Sequence, residues 1–160
     1  IHAQKKFKTL IDSNQIFVKP SFTFSESFTP LDTSTSIAKS LYTIEDSMNI
    51  FEQKMIMELA SLENVVFWHR NLNKGKGFYI NGFSTNHYPD FVIYTQRGNI
   101  VLIETKGDDR VNDDSLMKNK LGKLWAEKSG SNFKYFMVFQ TKEVEDCYNA
   151  NSIIEVLKRL

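Results

Sequence analysis

Hydrophobic positions along this chain recur with two periods. From Ser47 to Leu62 the apolar residues keep helical spacing, and Phe51, Met55, Leu59 and Leu62 form one stripe, which predicts the first helix of a packed core. Val65-Val66-Phe67-Trp68, Phe91 to Thr95 and Ile100 to Ile103 are short blocks rich in β-branched and aromatic residues and predict strands. The turn-forming stretch Gln96-Arg97-Gly98-Asn99 joins the last two as a hairpin. Helical spacing returns from Ser115 to Lys128, with Met117, Leu121, Leu124 and Trp125 on one expected core face. Phe133 to Gln140 predicts a further buried strand, and Asn151 to Leu160 a closing helix with Ile153, Ile154 and Leu157 inward. Upstream, Ile16, Val18, Phe22, Phe24 and Phe28 alternate roughly by two around Pro20, so edge strands are expected between Gln15 and Phe28. Serine and threonine crowd Ser25 to Ser40, which reads as a linker with a turn at Pro30. The expected division is an N-terminal extension over 1–46 and one core domain over 47–160.

Composition narrows the class without naming it. At 160 residues and 41% hydrophobic the chain can bury one sizeable core. Its net charge is only +1, so any nucleic-acid footprint must come from local clusters. A single cysteine, Cys147, excludes an intrachain disulfide and fits a reducing, cytoplasmic setting. No apolar run approaches a membrane span, the basic start IHAQKKFKTL lacks the apolar stretch and cleavage pattern of a secretory signal, and no glycine-rich phosphate loop of an ATPase occurs. Ile1 at the start suggests a fragment with sequence upstream.

The chemistry concentrates between His87 and Gly107. Alternation along a strand puts Glu104 and Lys106 on one side and turns Thr105 to the other, with its carbonyl between them. If the hairpin pairs around Gln96 to Asn99, Asp90 arrives level with Glu104. Two carboxylates about 4 Å apart repel by roughly 4 kcal/mol at an effective dielectric near 20, so they require a cation. Lys106 supplies one positive charge. The remaining negative pocket of hard oxygens, from Asp90, Glu104 and the Thr105 carbonyl, is expected to bind Mg²⁺, with Mn²⁺ as a substitute. A Glu-x-Lys pair on a half-exposed strand is ordinarily a solvated pair. Here it ends the continuously apolar run Ile100 to Ile103, where charge is not ordinary surface decoration.

Other candidates have two readings each. Glu52 is either a first-turn acid favoured by the helix dipole or an accessory to the carboxylate pocket. Arg70 and the glycine-spaced Lys74 and Lys76 suit phosphate contacts or ordinary surface. Lys118 and Lys120 either hold a nucleic-acid backbone or solvate their helix. His87 is expected in a structural or supporting role. Asp108 to Asp114 lacks the spacing of a calcium loop and reads as a solvated loop.

Pro89-Asp90, thirteen intervening residues and Glu104-Thr105-Lys106 resemble the PD-(D/E)xK nuclease superfamily. The ordered blocks MNIFEQKMIMELA, FWHRN, NHYPDF, IETKGDD, GKLWAEKSG and FKYFMVF, over roughly residues 47 to 140, resemble the C-terminal nuclease domain of type III-like, helicase-fused restriction subunits. The resemblance implies an α/β fold with a restriction-endonuclease-like αβββαβ core, a central mixed sheet flanked by helices. It implies a Mg²⁺-dependent DNA endonuclease in which Asp90 and Glu104 bind metal, Lys106 orients or activates the attacking water, and Glu52 stands beside the site. Implied partners are double-stranded DNA, an upstream ATP-driven helicase-like motor and a methyltransferase or specificity subunit. The competing expectation is a catalytically silent module that binds DNA or docks a protein.

Overall fold

The computed structural model describes residues 2–15, 17–30, 36–72, 76–82 and 85–160. Helix α1 (His2–Asp12), where the sequence pattern predicts no element, is followed by an arm described over 17–30 and 36–46. The core then runs α2 (Ile50–Ala60), β1 (Val65–Arg70), β2 (Phe91–Thr95), β3 (Ile100–Lys106), α3 (Asp113–Ser129), β4 (Phe133–Phe139), β5 (Tyr148–Asn149) and α4 (Ala150–Leu157). A short 3-10 turn, Asp108–Arg110, links β3 to α3. The strands form one mixed sheet in sequence order, antiparallel from β1 to β3 and parallel from β3 to β5. The protein is therefore α/β, with helices on both faces of a five-stranded mixed sheet.

Strand alternation divides the core in two. Met55, Ile56 and Leu59 of α2 and Ile153 and Leu157 of α4 cover the face carrying Trp68, Phe91, Ile93, Val101 and Ile103. Leu121 and Trp125 of α3 cover the opposite face, with Val92, Leu102, Tyr135, Met137 and Phe139. Helix α3 sits so close at Gly122 that a Cβ there would lie 2.4 Å from the Tyr135 ring.

Three expectations change. The buried stripe of α2 is Glu52, Met55, Ile56, Leu59 and Ala60, while Phe51 and Leu62 are only half-buried at its margins. Met117 is not core: it is 50% exposed, because α3 seats its Ser115, Asn119, Gly122 and Trp125 side on the sheet. No strand forms over the described residues 17–30; Phe22, Phe24 and Phe28 instead set their rings edge-on against Phe78, Phe67 and His69. Pro20 lacks a ladder donor, and the edge of β1 pairs further along the arm. Trp68 N–H donates to the Lys39 carbonyl, Leu41 N–H donates to the Trp68 carbonyl, and the Trp68 indole donates to the Ala38 carbonyl. The middle of the Ser/Thr-rich linker, residues 31–35, lies outside the described residues. Among the described residues no helix is long and apolar enough to cross a membrane.

Candidate functional site

The pairing Phe91–Ile103 across β2 and β3 places Asp90 and Glu104 beside each other one step further along, the level expected from the turn. Each is held differently. Asp90 Oδ2 accepts from the backbone N–H and the hydroxyl of Thr105, both at 2.7 Å. Its Oδ1 accepts from Arg70 Nη1 at 2.9 Å, and the same nitrogen reaches the Asp90 carbonyl at 2.8 Å. The carboxylate thus accepts three hydrogen bonds from neighbouring strands, which leaves lone-pair capacity on Oδ1.

Glu104 is buried, and Lys106 Nζ donates to its Oε1. Its Oε2 is also buried and has no hydrogen-bond partner among the described residues. A buried carboxylate oxygen left this way costs about 1–3 kcal/mol or more, so its retention calls for an explanation. Burial and then the neighbouring Asp90 charge push the Glu104 carboxyl up to about 8, against the opposing pull of Lys106. Burial thus disfavours the charged form of Glu104, and its Oε2 lacks a donor among the described residues. Burial lowers the Lys106 ammonium, but Glu104, Asp90 and Asp114 outweigh it and the net shift is upward, so Lys106 stays charged.

Glu52 reaches the site from α2. The N-terminal turn of α2 closes as a capping box, with Glu52 N–H donating to Asn49 Oδ1 at 2.9 Å and Asn49 N–H to Glu52 Oε2 at 3.1 Å. The same Oε2 accepts from Arg70 Nη2 at 3.1 Å. Burial raises the Glu52 carboxyl, Arg70 opposes that rise, and Asp90 adds to it. Glu52 thus caps its helix and, through Arg70, stands beside Asp90.

Arg70, expected among phosphate contacts, has its guanidinium between Glu52 and Asp90 and 5.2 Å from the Phe91 ring centroid. Its charge is balanced within the protein. Lys118 pairs with Asp114 at 2.6 Å yet is close enough to bear on Glu104 and His87. Lys120 is exposed on another side of α3, Lys76 is exposed beyond Leu72, and Lys74 lies outside the described residues. Thr105, expected to offer a carbonyl, uses its N–H and hydroxyl as donors to Asp90.

His87 is buried and shares a 2.8 Å hydrogen bond from Nε2 to the Tyr135 hydroxyl. Burial, then the Lys106 and Lys118 charges, drive its pKa down to about 4, so the ring is neutral at physiological pH. Burial followed by the charges of Glu104 and Asp90 holds the Tyr135 phenol far above its ordinary range. Sequence reasoning missed Tyr135 because its ring belongs to an apolar strand block, and missed Glu45 because nothing local marks it. Glu45 Oε2 lies 2.8 Å from His69 Nδ1 and accepts from Arg70 N–H at 3.1 Å. Those contacts fasten the arm behind the site.

Among the described residues no group of three or more His, Cys, Asp or Glu side chains is arranged to hold a metal ion. Glu52 Oε2 and Asp90 Oδ1 both accept from Arg70, so among the described residues Glu104 Oε2 is the carboxylate oxygen without a partner, and Asp90 Oδ1 keeps a further lone pair. That set fits Mg²⁺, which keeps several waters and takes one or two carboxylates, and it does not fit a metal requiring three or four protein ligands. Comparison of the chain with protein-family models, with curated proteins and with solved structures gave no match.

Proposed function

We propose that this chain is a Mg²⁺-dependent endodeoxyribonuclease domain with a restriction-endonuclease-like core. The observation that carries the reading is the buried Glu104 Oε2, unpartnered among the described residues, aligned with Asp90 just before the neighbouring strand and flanked by Lys106. The helix-strand-strand-strand-helix-strand order from α2 to β4 supports it, as do the Pro89-Asp90 and Glu104-Thr105-Lys106 motifs.

Asp90 and Glu104 would hold the cation, with Glu52 as an accessory acid. When bound, the cation supplies polarisation of the scissile phosphate and a more acidic water. Lys106 fixes the Glu104 carboxylate through Oε1 and offers its ammonium to the charge that develops on the phosphate. Its raised pKa favours this electrostatic role over proton abstraction. Water adds to phosphorus, the bond to the 3′ oxygen breaks, and that oxygen takes up a proton, leaving a 5′-phosphate. Double-stranded DNA is the proposed substrate, with Lys74, Lys76, Lys118 and Lys120 along its backbone. An upstream helicase-like motor and a methyltransferase or specificity subunit are the partners that the sequence resemblance brings to this reading.

The second reading, a silent DNA-binding or docking module, draws on the internal pairing of Arg70 with Glu52 and Asp90. Plasmid nicking separates the two. The wild-type chain should nick supercoiled DNA with Mg²⁺ and not with EDTA, and Glu104→Gln or Lys106→Ala should remove the activity. Undiminished cation-dependent cutting by either variant refutes the assignment.

A further inference from the structure

Resting on the cation site proposed above, we infer that Arg70 is the resident counter-cation of the cation-free protein, holding Glu52 and Asp90 together until a divalent ion takes over that compensation. One guanidinium spans carboxylates from two elements, Nη2 on Glu52 at 3.1 Å and Nη1 on Asp90 Oδ1 at 2.9 Å. All three side chains are largely removed from water, at 17%, 11% and 16% exposure, so their charges are weakly screened. Its backbone is fixed too, since Arg70 N–H donates to Glu45 and Asn71 N–H donates to the Asp90 carbonyl.

Charge sets the consequence. With all three carboxylates ionised, the state a bound cation requires, Glu52, Asp90 and Glu104 face two basic groups, Arg70 and Lys106, which leaves one negative charge uncompensated. A divalent ion supplies more than that remainder, so one basic group becomes surplus. Lys106 remains tied to Glu104 Oε1, whereas Arg70 sits on Asp90 Oδ1, the oxygen that keeps open donor capacity. Arg70 therefore stabilises the cation-free protein and opposes cation binding. A purely structural arginine would favour both states, and one acting only on DNA phosphate would affect neither.

The test uses the whole chain without DNA. Mn²⁺ affinity is measured by calorimetry and thermal unfolding is followed in EDTA, for wild type, Arg70→Gln, Arg70→Lys and Glu104→Gln. Arg70→Gln should unfold at lower temperature in EDTA yet bind Mn²⁺ about tenfold more tightly, because one local positive charge has left. Arg70→Lys, which keeps the charge without the planar fork, should bind Mn²⁺ much as wild type does. Unchanged or weakened binding by Arg70→Gln overturns the inference while leaving the cation site standing. Wild-type binding that is absent, or that survives Glu104→Gln, overturns the cation site and this role with it. Should Arg70→Gln fail to fold, the Arg70 guanidinium signals of the wild type decide by NMR. Faster exchange with water on adding Mg²⁺ is expected, and unchanged signals at saturation overturn the inference.

Discussion

Asp90 is fastened to Thr105, through two hydrogen bonds of 2.7 Å to one carboxylate oxygen, and this link fixes how β2 begins beside the end of β3. Thr105→Val keeps the shape and the backbone donor but removes the hydroxyl. A hydrogen bond to a charged acceptor is worth about 1.5–3 kcal/mol, so urea unfolding should show a loss of that order with little change in m. Wild-type stability in Thr105→Val would mean that Asp90 does not use the hydroxyl.

Glu104 and His87 give the cation-free protein a pH dependence of opposite signs. The Glu104 carboxyl is raised from 4.5 to about 8, so its contribution is present below its unfolded pKa and is lost as pH rises through the folded one. His87 is lowered from 6.5 to about 4, so its contribution is present above its unfolded pKa and is lost as pH falls through the folded one. The slopes oppose one another between about pH 4.5 and 6.5, where the raised Glu52 adds to the Glu104 side. Between about pH 6.5 and 8 Glu104 acts without His87, and stability in EDTA should fall with rising pH by at most about 1.4 kcal/mol per unit. Denaturant titrations across that window test this, and Glu104→Gln should flatten the fall.

Gly122→Ala should destabilise the protein. The added methyl would meet three atoms of the buried Tyr135 ring at 2.4 Å, and that ring is held at its far end by His87. Overpacking costs about 1–3 kcal/mol, against about 1 kcal/mol returned by better helix propensity. A net fall in Tm is expected, whereas a rise would show that α3 can lift off β4.

Periodicity disclosed the core elements because local pattern dictates them: α2, the β2–β3 hairpin, α3, β4 and α4 all begin and end within a few residues of their expected limits. The level of Asp90 with Glu104 was legible because a short turn sets hairpin register. Long-range partners were not. Arg70 carries no local sign that it meets Glu52 eighteen residues earlier and Asp90 twenty later. Glu45 is equally unmarked, and its partner His69 lies twenty-four residues away. The arm misled because alternating phenylalanines look like a strand, whereas their rings are anchors for a chain that makes no ladder there. Strand β5 has two residues, too few for any period to register.

Both main-chain hydrogen-bonding groups of Trp68 are consumed by Lys39 and Leu41, so the middle of the outermost long strand offers no template to a neighbouring molecule. At the other margin the sheet ends in the two-residue β5. A truncation at residue 46 would lay bare that protected border and remove the Glu45 carboxylate that braces Arg70. The arm thus guards against self-association while it serves the acidic cluster from behind.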